Sequence, residues 1–303
     1  MLRSRIQPRQ PSPLPLLLLA LTLAAFLLPS QRMVVLAREA PIVAAAGGAR
    51  YSSAVFVHLT HTGGSTLRGL FRHACSGAQL RTLECWESQV SGHGKRVPSV
   101  SVLRGGRPLD ALFGHFPFDP PALRRVMRQP YFAVTVLADP YEVARSDYFY
   151  HRRWKQHGSP DAFLRDAFPR GLSWHTQRLG GEEVRKEGTD AAYEASACRA
   201  ALDHLASEVA FVTEKRHLGG GAVAALHEAL RQNVSDWASL PPLVEGALRR
   251  ENTISAGTKS AGFDANVTVA TRAAFDERSR CAYELLVRAR TLPAYWGPPD
   301  ARR

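Results

Sequence analysis

Apolar positions along this chain fall into two periods. Short, near-continuous apolar runs at 54–59, 109–113, 131–137 and 209–213 have the length of buried strands. Between and after them, apolar residues recur on a helical period at 65–73, 121–128, 141–155, 191–206, 220–232 and 272–290. In the last stretch Ala282, Leu285, Leu286 and Ala289 define one face. Strands apolar on both sides, alternating with helices, predict an α/β fold with a mainly parallel central sheet covered by helices on both faces. Residues 87–108 are rich in Gly, Ser and Arg and read as a surface loop. Residues 155–190 mix Gly, Pro and charge and read as an excursion over one face.

A different pattern precedes these elements. Residues 14–29, LPLLLLALTLAAFLLP, are uncharged and apolar, and Arg3, Arg5 and Arg9 stand before them. A positive flank ahead of the first apolar helix keeps the N-terminus cytosolic. The run is shorter than the roughly 20 residues an average bilayer needs. It fits a signal peptide cleaved near the small residues 44–46, or a type II signal anchor in a thin, early secretory membrane. The small residues lie far beyond the run, and residues 33–37 extend its apolar character, which favours the anchor. A transit peptide fits less well because the run is too hydrophobic. The expected plan is a cytoplasmic tail at 1–13, a transmembrane signal anchor at 14–37, an Ala/Gly-rich stem at 38–51 and a lumenal domain at 52–303.

An oxidising compartment agrees with two further features. Asn233-Val-Ser and Asn266-Val-Thr are glycosylation sequons. Cys75, Cys85, Cys198 and Cys281 permit two disulfides in three connectivities, and the Cys75/Cys85 spacing suits a local loop closure. No CxxC or Cys/His cluster argues for zinc, so no metal is expected.

Composition narrows the partner. The 303 residues, 45% hydrophobic, suffice for one large domain or at most two. The formal net charge is +12, which suits an anionic partner, although a GC-rich coding sequence alone would also enrich Arg: only five of 39 basic residues are Lys. Residues 1–50 carry six Arg against Glu39 and hold +5 of that charge, leaving +7 for the rest. With no basic block longer than two beyond the tail and no zinc-finger or RNA-binding signature, nucleic acid is not the expected partner.

Three segments carry candidate chemistry. In residues 55–71 a short strand runs through His58 to His61 into Thr62, Gly63 and Gly64, and then Ser65 and Thr66 open an apolar helix. The backbone N–H groups of such a turn form an anion site, glycine allows close approach, and the hydroxyls can cap the helix or donate to phosphate. GxxxxGK[ST] is absent, so this is not a Walker A loop. In Phe113-Gly-His-Phe-Pro-Phe118, His115 stands just past a strand end, a placement suited to general base work. In residues 131–150 another strand ends at Asp139-Pro140, which starts a helix carrying Arg145, Ser146 and Tyr148. Each segment also reads as ordinary α/β structure: a capped strand–turn–helix, a structural His, a capped amphipathic helix.

Taken in order, the three resemble the membrane-anchored carbohydrate sulfotransferases of the heparan sulfate 2-O and uronyl 2-O type. Leu59-Thr-His-Thr-Gly-Gly-Ser-Thr66 is similar to the family's 5′-phosphosulfate motif, and Gly114-His115-Phe-Pro-Phe118 to its GHxxF/Y motif. The stretch from Ala138-Asp-Pro through Arg145-Ser146 to Tyr148 is similar to its 3′-phosphate segment. Thr176-Gln-Arg-Leu179, Ala201-Leu-Asp-His-Leu205 and Val209-Ala-Phe-Val-Thr-Glu214 extend the likeness over roughly residues 52–291.

The resemblance implies a P-loop-like α/β domain in the Golgi lumen on a single-pass type II anchor. The implied reaction is sulfuryl transfer from 3′-phosphoadenosine 5′-phosphosulfate (PAPS) to a hydroxyl of an acidic polysaccharide or glycoprotein glycan, without a metal. His115 would be the base, Thr62, Gly63, Gly64, Ser65 and Thr66 would cradle the 5′-phosphate, and Ser146 would hold the 3′-phosphate. A nucleotide-sugar glycosyltransferase would instead need a DxD metal site, and nothing of that form stands at a strand end here. Two departures bear on activity. His61 replaces the family's Lys, and Ala138 and Val143 replace two Arg of the 3′-phosphate segment. A charge-assisted hydrogen bond is worth roughly 1.5–3 kcal/mol, so losing two would weaken donor binding or turnover by roughly 10²–10⁴-fold. His61, if protonated in an acidic lumen, and Arg145 would be the substitutes. The alternative is a catalytically weakened or inactive glycan-binding protein of the same fold.

Overall fold

The computed structural model describes residues 50–77, 80–85, 107–169, 171–181, 191–240 and 262–298. The tail and anchor, all but the last two residues of the stem, and most of the 87–108 loop lie outside them. Among the described residues no helix is long and apolar enough to cross a membrane.

Six strands form one parallel sheet: β1 (Ser53–Val57), β2 (Thr82–Cys85), β3 (Ala111–Gly114), β4 (Tyr131–Leu137), β5 (Val209–Glu214) and β6 (Tyr295–Trp296), in the order β2-β3-β1-β4-β5-β6. Every residue of β1 and β4 is buried, as their unbroken apolar character requires. The period-2 alternation of a strand sorts β1 between two cores. Val55 and Val57 face a cluster with Leu123 of α2 (Pro120–Val126), Leu205 of α7 (Ala191–Ser207) and Leu285 and Leu286 of α10 (Arg280–Arg290). Ala54 and Phe56 face the other side, with Leu67, Leu70 and Phe71 of α1 (Gly64–Gly77) and Leu226 and Leu230 of α8 (Val223–Asn233). The chain is thus an α/β protein with helices on both faces of a parallel sheet.

A third apolar cluster joins α3 (Pro140–Tyr150), α5 (Pro160–Asp166) and α9 (Val269–Arg278) through Tyr148, Phe163, Phe263 and Phe275. The expected excursion at 155–190 therefore contains packed helices, α5, which buries Phe163 and Leu164, and α6 (Ser173–Leu179), whose buried face is largely polar. The helix expected at 141–155 ends at Tyr150, because Arg152 turns left-handed at φ 54° before a short α4 (Trp154–His157). The helix expected at 272–290 is interrupted at Ser279, between α9 and α10. That expected at 220–232 begins instead at Val223, behind the π-helical Leu218–Ala222, whose glycines are poor helix formers. Tyr51, placed in the stem by composition, pairs with Val234 and sets its ring edge against Phe132 at 5.2 Å.

Of the two disulfides the cysteine count permits, Cys198–Cys281 forms and ties α7 to α10. Cys75 is a buried free thiol, so the local closure with Cys85 is not made; the Cys85 side chain lies outside what is described. The Asn233 sequon is corrected too: Asn233 is buried and its amide donates to the Ala229 carbonyl, whereas Asn266 is exposed.

Cys198 and Cys281 are 83 residues apart. Closing so long a loop restricts the unfolded chain, and losing the link is expected to cost roughly 2–5 kcal/mol. A urea titration of Cys198→Ser/Cys281→Ser against the parent checks it; an unchanged midpoint would mean that the bridge contributes nothing to stability.

Candidate functional site

In a parallel sheet all strands end on one side. Here β1, β3, β4 and β5 deliver His58, His115, Asp139 and Lys215 to the same edge. The connection from β1 runs to β2 on one side of it and the connection from β3 crosses to β4 on the other, and such a reversal leaves a crevice at the strand ends where α/β proteins bind ligands.

The floor of this crevice is a pair of histidines. The His58 N–H donates to the Gly114 carbonyl at 2.9 Å, extending the β1–β3 ladder by one residue. Gly114 sits at φ 137°, which favours glycine, and the chain turns there so that the His115 ring stacks on His58 at 4.1 Å, 27° from parallel. His115 Nδ1 lies 2.9 Å from the His58 carbonyl oxygen. A carbonyl only accepts, so Nδ1 carries the proton and Nε2 is the basic nitrogen. Above the pair runs the start of α1. A β-carbon on Gly64 would fall 1.9 Å from the His58 ring, so only glycine lets the helix terminus lie on this imidazole.

His175 of α6 closes the back, its Nε2–H donating to the Thr60 carbonyl at 2.8 Å. Burial, outweighing that hydrogen bond, drives the His175 imidazole down to about 3. Burial, then the charges of His115, Arg178 and His175, holds His58 well below the ordinary histidine range. Arg178 is itself 6% exposed, so its positive charge lies inside the protein beside these rings.

The sequence-derived site residues divide three ways. His115, Gly63, Gly64, Ser65 and Thr66 stand where β3 and β1 end, at the same edge of the sheet. Gly63 has φ +85° and Thr66 N–H donates to its carbonyl at 3.2 Å, making the tight entry to α1. Thr62 is turned inward: its hydroxyl donates to the Leu59 carbonyl at 2.7 Å. His61 is engaged elsewhere; at φ 63° it places Nε2 3.0 Å from Asp147 Oδ1 on α3. On that helix Asp139 caps the N-terminus by accepting from Tyr141 and Glu142 N–H groups, with Pro140 at the first position. Ser146 is half-buried, and the Arg145 guanidinium lies 3.4 Å from Asp264 and 4.0 Å from Glu142.

Lys215, which the sequence did not single out, adds a cation to this edge. It follows β5 directly, and its Cγ would stand 3.5 Å from a β-carbon at Gly63. Burial, partly offset by Glu142 and reinforced by Arg145, lowers its ammonium from the usual lysine range. Its position one residue past an apolar strand, in a chain with five Lys, was the only signal. His58, His175 and Asp147 were also missed, since only the fold gathers them.

The neutral histidines set a pH dependence. Unfolded histidine takes a proton near 6.5. His58 and His175 remain neutral in the folded chain below that, so unfolding takes up protons and stability falls as pH drops from about 6.5 toward 3. Asp147 and Glu214 contribute differently. Burial raises each carboxyl, but His61 and Arg153 on Asp147, and Arg290, Tyr295 and Arg216 on Glu214, hold both below normal. Their stabilisation is present above about pH 4 and is lost below it. Urea midpoints should therefore be level above about pH 7 and decline between about 6.5 and 5, and His175→Gln should flatten that decline. Equal midpoints at both ends of that window would contradict the neutral pair.

Neither a protein-family model nor a curated protein matches the chain, so what the site does rests on the geometry above.

Proposed function

We propose that this protein transfers a sulfuryl group from PAPS to a hydroxyl of an acidic glycan in the Golgi lumen, anchored by residues 14–37. The observation that carries the reading is the convergence of the three motif segments at one sheet edge. The β1–α1 glycine turn, His115 after β3 and the capped start of α3 after β4 border one crevice. β1 lies between β3 and β4 with the turn at its end, the placement of a P-loop-like domain.

In this reading the N–H groups at the start of α1 and the Lys215 ammonium bind the 5′-phosphosulfate, while Ser146 and Arg145 bind the 3′-phosphate. The Arg145 charge disfavours the Lys215 ammonium, and an anion between them relieves that repulsion. His115 Nε2 takes the proton of the acceptor hydroxyl. The hydroxyl oxygen then bonds to sulfur as the bond from sulfur to the phosphate oxygen breaks, and 3′,5′-phosphoadenosine (PAP) leaves.

One observation favours the weakened-enzyme alternative. Ala138 and Val143 are buried in the third apolar cluster, and Arg145 already has carboxylate neighbours. The cations of the resemblance have been exchanged for packing.

Calorimetry of PAP with the full chain, together with transfer from labelled PAPS to an acidic glycan, tests both. PAP should bind, and Ser146→Ala or Lys215→Met should weaken it about tenfold or more. His115→Ala should bind PAP like the parent but transfer roughly 10²–10⁴-fold more slowly. A folded parent that does not bind PAP would rule out the enzyme reading. PAP binding without transfer would leave the glycan-binding alternative.

A further inference from the structure

The geometry points to a divalent transition-metal site formed by His61, Asp147 and His151, suited to an ion of the zinc class. Their ligand atoms all lie within 4.8 Å of one another. His61 Nε2 is 3.0 Å and His151 Nε2 3.5 Å from the same oxygen, Asp147 Oδ1. Metal–ligand bonds of 2.0–2.2 Å at tetrahedral angles put neighbouring ligand atoms about 3.3 Å apart, so two edges of the triangle already have the required length.

The backbone prepares this arrangement. Asp147 and His151 are one turn apart at the end of α3 and project from one face. His61 reaches them from the β1–α1 turn only by adopting a left-handed backbone at φ 63°, a conformation that costs a non-glycine residue stability. The two imidazoles are nearly perpendicular, 86° apart with centroids at 5.4 Å, so their nitrogens approach the carboxylate from different directions. Arg153 Nε donates to Asp147 Oδ2 at 3.3 Å. That fixes the second carboxylate oxygen and leaves Oδ1 as a monodentate ligand, the orienting role that outer partners play at metal centres.

The donor set selects the ion. Two imidazoles and one carboxylate suit zinc and its neighbours rather than magnesium or calcium, which take mainly oxygen. The His61 and Asp147 side chains are 7% and 5% exposed and His151 is 44% exposed, so the ion is shielded on one side and enters past His151. Three protein ligands leave a fourth position for water or an anionic group, the form of a catalytic rather than a structural zinc site. This site does not depend on the sulfuryl-transfer reading; a chain that never binds PAP would still hold the ion.

The test uses the full chain, stripped with a chelator and freed of it. Zinc calorimetry should show one equivalent bound in the micromolar range or tighter, and zinc should raise the melting temperature. Cobalt in the same site should give visible d–d absorption without a sulfur charge-transfer band. His151→Ala and Asp147→Asn should each weaken zinc binding by about tenfold or more. His151 is half exposed, so its removal should leave the zinc-free melt unchanged; Asp147→Asn, which keeps the side chain's size, is the second variant if it does not. The proposal is overturned if zinc does not bind, if either folded variant binds as the parent does, or if cobalt shows thiolate absorption, which would place the ion on a cysteine instead.

Discussion

The hydrogen bond from the His58 N–H to the Gly114 carbonyl, one residue beyond the last β1–β3 pair, is the constraint on which the site depends. It fixes the height at which the neighbouring strands β1 and β3 stop and puts both histidines at the same level. The ring stack then follows, and the start of α1 can lie over it only because Gly64 has no β-carbon. A larger residue at Gly64 would lift the helix or tilt His58. Either movement would alter the carbonyl that fixes the His115 tautomer. The position of the basic nitrogen is therefore decided by backbone contacts two strands wide rather than by the histidine's own neighbours in sequence.

The sheet was legible because β1, β4 and β5 must be apolar on both faces, and unbroken apolar runs are hard to place elsewhere. β2 and β6 were not legible. Thr82–Cys85 is short, and Tyr295–Trp296 is two residues long; neither has room to display a period. Helix ends were misjudged where the cause was conformational rather than compositional. Nothing in the letters around Arg152 announces a left-handed residue, and Ser279 divides α9 from α10 with no Gly or Pro beside it. In the site, the glycine turn and His115 could be found because their chemistry is local in sequence. His175 and Lys215 could not, since they reach the crevice from 115 residues beyond Thr60 and from the end of a different strand.

The charge also looks different once folded. The +12 total suggested a basic surface waiting for an anion, but several of the cations are already matched. Glu214 receives Arg290 and Arg216, Asp110 and Asp236 both receive Arg128, and Asp147 receives Arg153. Such pairs are worth little at the exposed surface and more where one partner is buried, as Glu214 and Asp147 are. They hold β5 to α10 and brace the end of α3, so these four arginines serve the fold.

Lys215 and Arg145 share Glu142 as a neighbour across the mouth of the crevice, and Arg178 carries its charge beneath the histidines. Their cost follows from the same electrostatics that makes them useful. Burial is the main reason that His58 and His175 stay neutral and that Lys215 gives up its proton more readily than a surface lysine, and the neighbouring cations add to it. An anion entering the crevice opposes that shift and favours the protonated lysine. Substitution of the third-cluster residues Ala138 and Val143 by arginine would not reproduce this. Both side chains are buried in packed apolar surroundings, where a new guanidinium would have to be desolvated. The position of charge at this edge is thus set by the fold, through the ends of β5 and α3, and not by the two places at which the sequence motif would have put it.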